Sequence, residues 1–249
     1  MQRDSELMRR LIVNADDFGQ SPGINRGVMD AAEDGVVTSA SLMVRWPAAE
    51  AAARIAGERP GFSLGLHFDL GEWAYRDGQW HPSYRVVDPD DVEATRDELD
   101  RQLNMFERLV GRPPTHLDSH QHVHREQALR RSMLEVADGL GVPLREATPR
   151  VTYCGDFYGQ SGRGDPYPEG ITRAALLAIF DALRDGMTEL GCHPGEDGLA
   201  DIDSMYVAER AAERRVLCDP TVRDALLIRG IELCSFSDLP PRRSDIGVG

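Results

Sequence analysis

Histidine and aspartate are concentrated in one short stretch of the chain. The segment THLDSHQHVH, residues 115–124, contains four of the seven histidines. In an extended strand, five of its side chains would share one face with roughly 6.6 Å between successive members: His116, Asp118, His120, His122 and His124. Because a metal–nitrogen bond is about 2.0–2.1 Å long, one ion could take only one or two neighbouring side chains of this strand. Other ligands of a metal site must come from elsewhere in the chain.

Further polar residues stand where other strand-like segments end. They are Asp16 and Asp17 after LIVNA, His67 after FSLGL, His120 after THLDS, Arg145 after VPL and His193 after TELGC. In a parallel barrel the carboxyl ends of the strands share one face, and that face carries the active site. Their joint position predicts a site that contains both a metal and titratable groups.

Each of these residues also has a purely structural interpretation. Asp16 and Asp17 could cap the helix that follows, although Ser21 before Pro22 is the better N-cap signal. His67 could be a core histidine of an apolar strand, and His193 a turn residue. The histidine run as a whole could bind metal only loosely. In an extended strand, Asp16 and Asp17 point to opposite sides, so one could bind a metal while the other faces the substrate.

Aromatic residues follow His67 within one predicted loop. Trp73, Tyr75 and Trp80 stand close together in the sequence. Their rings could stack on a sugar, or they could pack on one another as a lid.

Strand-like and helix-like segments alternate along the chain. The predicted strands are 11–15, 38–44, 62–68, 115–120, 142–147, 187–193 and 231–236, and the predicted helices are 22–34, 48–57, 90–110, 126–140, 171–184 and 206–229. This alternation is typical of parallel strands joined by right-handed crossovers. It predicts an α/β fold: a single-domain, irregular, TIM-barrel-like (β/α) barrel with about seven parallel strands. The domain spans residues 1–249, with a core of about 11–239, a functional loop at 149–170 and a loose tail at 240–249.

The composition of the chain argues against several classes of function. The chain has 249 residues, a net charge of −14, and only arginine among its 28 basic residues. An acidic chain without basic clusters is not expected to bind nucleic acid or anionic membranes. The four cysteines are far apart, the first ten residues lack the apolar stretch of a signal peptide, and no run could span a membrane. We therefore expect a reduced, cytoplasmic protein.

The order of these motifs resembles a known family. LIVNADDFGQSPGINRGV, GLHFDL, GRPPTHLDSHQHVH, DFYGQ and CHPG, followed by CSFSDL, are similar to segments of the YdjC-like carbohydrate deacetylases, over roughly residues 11–239. NADDFG together with THLDSHxHxH is highly specific, whereas CHPG alone would be weak. The resemblance implies an irregular (β/α) barrel that removes acetyl groups from N-acetylated sugars with a divalent metal.

Site residues follow from the resemblance, motif by motif. Asp17, His67 and His120 would be the metal ligands, Asp16 the general base and His193 the general acid. The remaining assignments are Arg145 as the residue that orients Asp16, Asp118 as an indirect support of the ligands, and His122, His124, Trp73 and Tyr158 as substrate contacts. His116, deepest in its strand, is expected to be structural.

Mixed aspartate and histidine ligation favours one divalent ion, zinc or magnesium first, with manganese, nickel or cobalt as alternatives. The expected substrate is a small N-acetylated sugar. The segment FDLGEWAYRDGQWHP is distinctive, and relatives linked to hopanoid lipids share the motifs, so a glycolipid headgroup is a second candidate. A homodimer is one candidate for the oligomeric state.

Two other functions remain as alternatives. Another metal hydrolase, such as an amidohydrolase or a phosphodiesterase, could use the same barrel, with His122 or His124 serving a second ion. Amidohydrolases usually place an H-x-H pair on the first strand, and here that strand carries two aspartates. A non-catalytic carbohydrate-binding protein would bind sugar without releasing acetate.

Overall fold

A parallel β-sheet lies at the centre of the computed structural model, which describes residues 8–239. The strands in chain order are β1 (Arg9–Phe18), β2 (Ser39–Leu42), β3 (Ser63–Phe68), β4 (Gly71–Arg76), β5 (Gln79–Arg85), β6 (Leu117–Ser119), β7 (Thr152–Cys154), β8 (Gly186–Cys192) and β9 (Ile231–Leu233). Six of them follow the order β6-β3-β2-β1-β8-β7, and β9 pairs with the first residues of β1. The predicted α/β class is confirmed.

Amphipathic helices join the strands. They are α1 (Pro22–Glu33), α2 (Ala49–Gly57), α3 (Val92–Val110), α4 (Gln127–Leu140), α5 (Arg173–Ala182), α6 (Ala208–Leu217) and α7 (Pro220–Ile228). The Ser21 hydroxyl accepts a hydrogen bond from the Ile24 amide at 3.1 Å and caps α1, as its sequence predicts. Asp16 and Asp17 are therefore not needed as caps.

The sheet is strongly curled. β6 and β8 lie four places apart in the strand order, which in a flat sheet would separate them by about 19 Å. The single guanidinium of Arg145 nevertheless lies within 2.8 Å of Asp118 on β6 and 2.6 Å of Glu189 on β8. The two sides of the sheet therefore approach each other around this side chain.

A closed barrel of seven strands is not confirmed. The predicted strand at 142–147 is wrong, because only one isolated bridge, between Leu117 and Leu144, forms there. The backbone turns away immediately afterwards, with a φ of 58° at Glu146. β7 forms instead, inside the segment 149–170 that the sequence predicts to be a loop.

Two other predictions needed correction. The loop with Trp73 and Trp80 is an antiparallel hairpin, β4–β5, closed by Asp77 and Gly78 with φ values of 52° and 81°. The helix predicted at 206–229 is two helices, because Asp219 caps α7 and Pro220 occupies its first turn.

The core lies between the sheet and the helices. Residues 11–18 of β1 are buried, as are all residues of β2, β3 and β6. Among the described residues, no helix is long and apolar enough to cross a membrane. The predicted tail at 240–249 lies outside the described residues.

Candidate metal and active site

Three candidate metal ligands from distant parts of the chain meet at the carboxyl ends of the strands. Asp17 Oδ1 lies 3.3 Å from His67 Nε2 and 2.9 Å from His120 Nδ1. All three side chains are buried, and their ligand atoms lie within 4.8 Å of one another. One carboxylate and two imidazole nitrogens form a donor set that suits a divalent ion and leaves further coordination positions open. These residues therefore fit a metal.

Asp118 determines which nitrogen of His67 is available. Asp118 Oδ1 lies 2.8 Å from His67 Nδ1, so Nδ1 keeps its proton, and Nε2, which faces Asp17, is the nitrogen that a metal would deprotonate and bind. Burial opposes a charge on this ring, but the charges of Asp118 and Asp16 raise the pKa of His67 to about 9. Asp118 also accepts a hydrogen bond from the Ser41 hydroxyl and lies against Arg145, and it does not border the cleft.

Asp17 owes its direction to a bulge in β1. The register with β2 shifts between Ala15 and Phe18, and Asp17 has a φ of 62°. Two successive aspartates therefore border the same cleft. The expectation that they point to opposite sides holds for an extended chain, and the backbone at Asp17 is not extended. Arg210 on α6 binds Asp17 Oδ2 at 2.6 Å. Although burial favours the neutral acid, Arg210 and His120 hold the pKa of Asp17 well below its usual value.

Asp16 belongs to a buried charge cluster around Arg145. The guanidinium donates to both oxygens of Asp16, at 2.6 and 2.7 Å, and its Nε donates to Glu189 at 2.7 Å. Burial works against ionisation of Asp16, but Arg145 lowers its pKa. Burial also raises the pKa of Glu189 to about 7, against the influence of Arg145. Arg145 thus lies where the sequence predicts, against Asp16, although it is not at the end of a strand.

His193 lies at the end of β8, close to Asp16. Its Nε2 is 3.9 Å from Asp16 Oδ2, and its backbone amide donates to Glu213 at 2.5 Å. Burial lowers the pKa of His193 to about 4, so the ring is neutral at pH 7. Tyr206, which donates to Glu213, stacks on Tyr158 with ring centroids 4.6 Å apart, and Tyr158 in turn meets the His193 ring edge-on.

A cleft of about 670 Å³ opens above these groups. The predicted residues along it are Asp16, Asp17, His67, Trp73, His120, His122, Tyr158 and His193. The β4–β5 hairpin and several residues of the segment 155–164 also line it. The hairpin is fastened by Gln121, whose side-chain amide exchanges two 2.9 Å hydrogen bonds with the backbone of Trp73.

The histidine-rich segment is not one extended strand. β6 ends at Ser119, and a 3₁₀ turn follows in which Gln121 and His122 have positive φ. His116, which is expected to be structural, stacks on Phe236 with ring centroids 3.7 Å apart and does not border the cleft. His124 is fully buried against Ser119 and does not border the cleft, so the structure does not support its predicted contact with substrate.

The sequence analysis missed three residues of this site. Arg210 and Glu213 lie one turn apart in AERAAERRVL. The many charges of this segment predict a solvent-exposed helix, yet both side chains are buried. Glu72 lies on β4 with its Oε2 3.9 Å from His120 Nε2, a buried nitrogen that has no hydrogen-bond partner within residues 8–239. Only the Asp-Gly pair at the tip of the hairpin could have indicated that Glu72 lies on a strand.

Comparison with known proteins shows similarity over nearly the whole described chain. A carbohydrate deacetylase from Geobacillus stearothermophilus is 34% identical, covering 93% of this chain and 98% of that protein. A chitooligosaccharide deacetylase from Serratia marcescens is also 34% identical, covering 94% and 100%. A crystal structure from Enterococcus faecalis V583, provisionally described as a cellobiose-phosphate cleavage protein, superposes with a TM-score of 0.73 at 25% identity, covering 92% and 98%.

The family model described as YdjC-like protein matches residues 10–227. That range includes the three candidate metal ligands, Asp16 and His193. The family expected from the motifs is thereby confirmed, and the chain belongs to the YdjC-like proteins.

Proposed function

We propose that this protein is a metal-dependent hydrolase that removes an acetyl group from an N-acetylated sugar. The observation that carries the proposal is the convergence of Asp17, His67 and His120 beside Asp16 and His193 in one cleft. Amide hydrolysis needs an activated water, a proton acceptor and a proton donor for the leaving amine. The names of the two deacetylase relatives support the same chemistry.

A divalent ion held by Asp17, His67 and His120 would supply Lewis-acid activation of water and of the acetyl carbonyl. Asp16 accepts the proton of the attacking water. Arg145 fixes the orientation of Asp16 through both carboxylate oxygens. The charge of Arg145 makes Asp16 a weak base, so its role depends on position more than on basicity.

His193 donates the proton to the leaving amine. Since burial lowers its pKa to about 4, its protonated form has to arise during the reaction. Asp16 Oδ2 lies 3.9 Å from His193 Nε2, which is close enough for the proton taken from water to be passed on as the groups tighten around substrate. Glu213 holds the backbone of His193 in place.

The cleft suits an uncharged sugar ring. Trp73 and Tyr158 border it and can pack against the apolar faces of a sugar, and His122 is placed to contact the substrate. The acidic chain gives no attraction to polyanions. A glycolipid headgroup remains the second candidate, and zinc or magnesium is the first choice of ion.

Acetate release from a panel of N-acetylated sugars, including N-acetylglucosamine and chitobiose, tests the proposal. We expect the metal-loaded protein to release acetate and free amine in equal amounts from at least one of them. The same protein stripped with a chelator should release none. Metal-loaded protein that binds sugar without releasing acetate would support the non-catalytic alternative instead.

A further inference from the structure

A second group of metal-type donors borders the cleft, and of its three residues the proposed reaction uses only His122, as a substrate contact. His122, His124 and Glu146 bring their ligand atoms within 4.8 Å of one another. His122 Nδ1 lies 3.7 Å from Glu146 Oε2, and His124 Nε2 lies 3.4 Å from the same oxygen. Two imidazoles therefore converge on one carboxylate oxygen.

Both converging nitrogens are buried and lack a hydrogen-bond partner among the described residues. The other ring nitrogen of each histidine does have a partner. His124 Nδ1 lies 2.6 Å from the Ser119 hydroxyl, and His122 Nε2 lies 3.4 Å from the Tyr153 hydroxyl. The His124 side chain is fully buried. Buried polar atoms are normally satisfied, and an unpartnered pair aimed at one point indicates a ligand.

The backbone holds these side chains in an unfavourable conformation. Gln121, His122 and Glu146 have φ values of 49°, 54° and 58°. Non-glycine residues rarely adopt the left-handed region, and positions that do so cluster at functional sites. Both segments that carry the donors, around His122 and around Glu146, therefore contain residues in the left-handed conformation.

We propose that His122, His124 and Glu146 form a second site, for a divalent transition ion of the zinc type. Two neutral imidazole nitrogens and one carboxylate oxygen are a donor set that zinc prefers. With bonds of about 2.0–2.1 Å, ligand atoms around a tetrahedral ion are about 3.3 Å apart, close to the observed 3.4 and 3.7 Å. The site is independent of Asp17, His67 and His120.

Arg125 competes for the same carboxylate. Its Nε and Nη2 donate to the two oxygens of Glu146, each at 2.8 Å. An ion at this site must share Glu146 with the guanidinium or displace it, so it binds more weakly than the ion at Asp17. Replacing Arg125 by Gln should therefore tighten the second site, by about fivefold for a partly exposed ion pair.

Equilibrium dialysis against zinc followed by elemental analysis tests the proposal. The wild-type chain should bind two ions, and His122→Ala and Glu146→Gln should each bind one. Asp17→Asn should also retain one ion, at the weaker site. His81→Ala, which removes an exposed histidine of β5, should still bind two.

The proposal is overturned if the wild type binds one ion at saturation, or if His122→Ala keeps two. It is also overturned if Arg125→Gln leaves the weaker dissociation constant unchanged. Because His122 is partly exposed, its replacement should fold even if Glu146→Gln does not. A wild type with one ion that is lost in Asp17→Asn would leave the proposed hydrolase intact while rejecting this second site.

Discussion

At the scale of single residues, the orientation of two of the three candidate ligands is set by a partner on the side away from the metal. His67 is oriented by Asp118, and Asp17 by Arg210. Groups of this kind support a metal site because they select the tautomer of a histidine ligand and direct its lone pair.

The substitution Asp118→Asn tests whether Asp118 orients His67, because it changes the charge of the side chain but hardly its shape. It removes the charge that orients His67, while Arg145 keeps Asp16 and Glu189 as partners. We expect metal affinity to fall about 10–100-fold, measured by competition with a chromogenic chelator. Asp185→Asn, at an exposed position, is the matched control and should bind metal like the wild type. An unchanged affinity in Asp118→Asn would remove Asp118 from the site.

The sequence indicated the candidate ligands more clearly than the residues that support them. Asp17, His67 and His120 stand at strand ends in recognisable motifs, so their types and positions carried the signal. Arg210 sits in a helix that alternates acidic and basic residues, and burial of an arginine cannot be read from such a pattern. The bulge that turns Asp17 towards the cleft depends on pairing between β1 and β2, which is a tertiary property.

At the scale of elements, the β4–β5 hairpin forms a wall of the cleft and is fastened at few points. Gln121 binds the backbone of Trp73, and Ser204 donates to Glu72 at 3.3 Å. At its base, Asp69 accepts a hydrogen bond from the Tyr84 hydroxyl at 2.9 Å. The sequence prediction placed this segment in a loop because its residues do not alternate cleanly between apolar and polar.

We predict that Gln121→Ala loosens the hairpin and weakens substrate binding. The two hydrogen bonds that it removes are worth about 1–3 kcal/mol together. KM should rise several-fold while kcat changes little, because the groups that transfer protons lie on the sheet. Gln79→Ala at the exposed tip of the hairpin should leave both constants unchanged. A fall in kcat at constant KM would show that Gln121 acts on the chemistry instead.

Arg145 holds the curled sheet together by charge. It binds Asp118, Asp16 and Glu189, which belong to three different strands, and is itself buried. Replacing it by Gln would leave buried carboxylates without a counter-charge, which typically costs about 3–5 kcal/mol. Urea unfolding should show this loss, whereas Arg108→Gln on the exposed face of α3 should change the free energy of unfolding by less than about 0.5 kcal/mol.

Stability equal to that of the wild type in Arg145→Gln would mean that the sheet keeps its curl without this arginine. The irregular barrel of about seven parallel strands predicted from the sequence is not confirmed, and the same region is where the strand pattern departs from it. Arg145 follows a single bridge rather than a strand, since the chain turns at Glu146 to bring that residue towards His122 and His124. The left-handed backbone at Glu146 thus replaces the regular strand pairing that the sequence predicted there.

At the scale of the whole molecule, metal binding should be coupled to folding. The ligands come from residues far apart in the chain, so the site exists only in the folded state. Zinc at 100 times the dissociation constant should stabilise the protein by about 2.7 kcal/mol, which raises Tm by roughly 5–11 °C for a chain of this size. Asp17→Asn should lose most of this shift. An equal shift in Asp17→Asn would place the stabilising ion elsewhere.

The measurement that tests the central claim most directly compares metal content and acetate release in His120→Ala. We predict that this variant loses both the tightly bound ion and the release of acetate from the best N-acetylated sugar, while His81→Ala keeps both. If His120→Ala binds the tight ion and releases acetate at the wild-type rate, then Asp17, His67 and His120 are not the catalytic metal site.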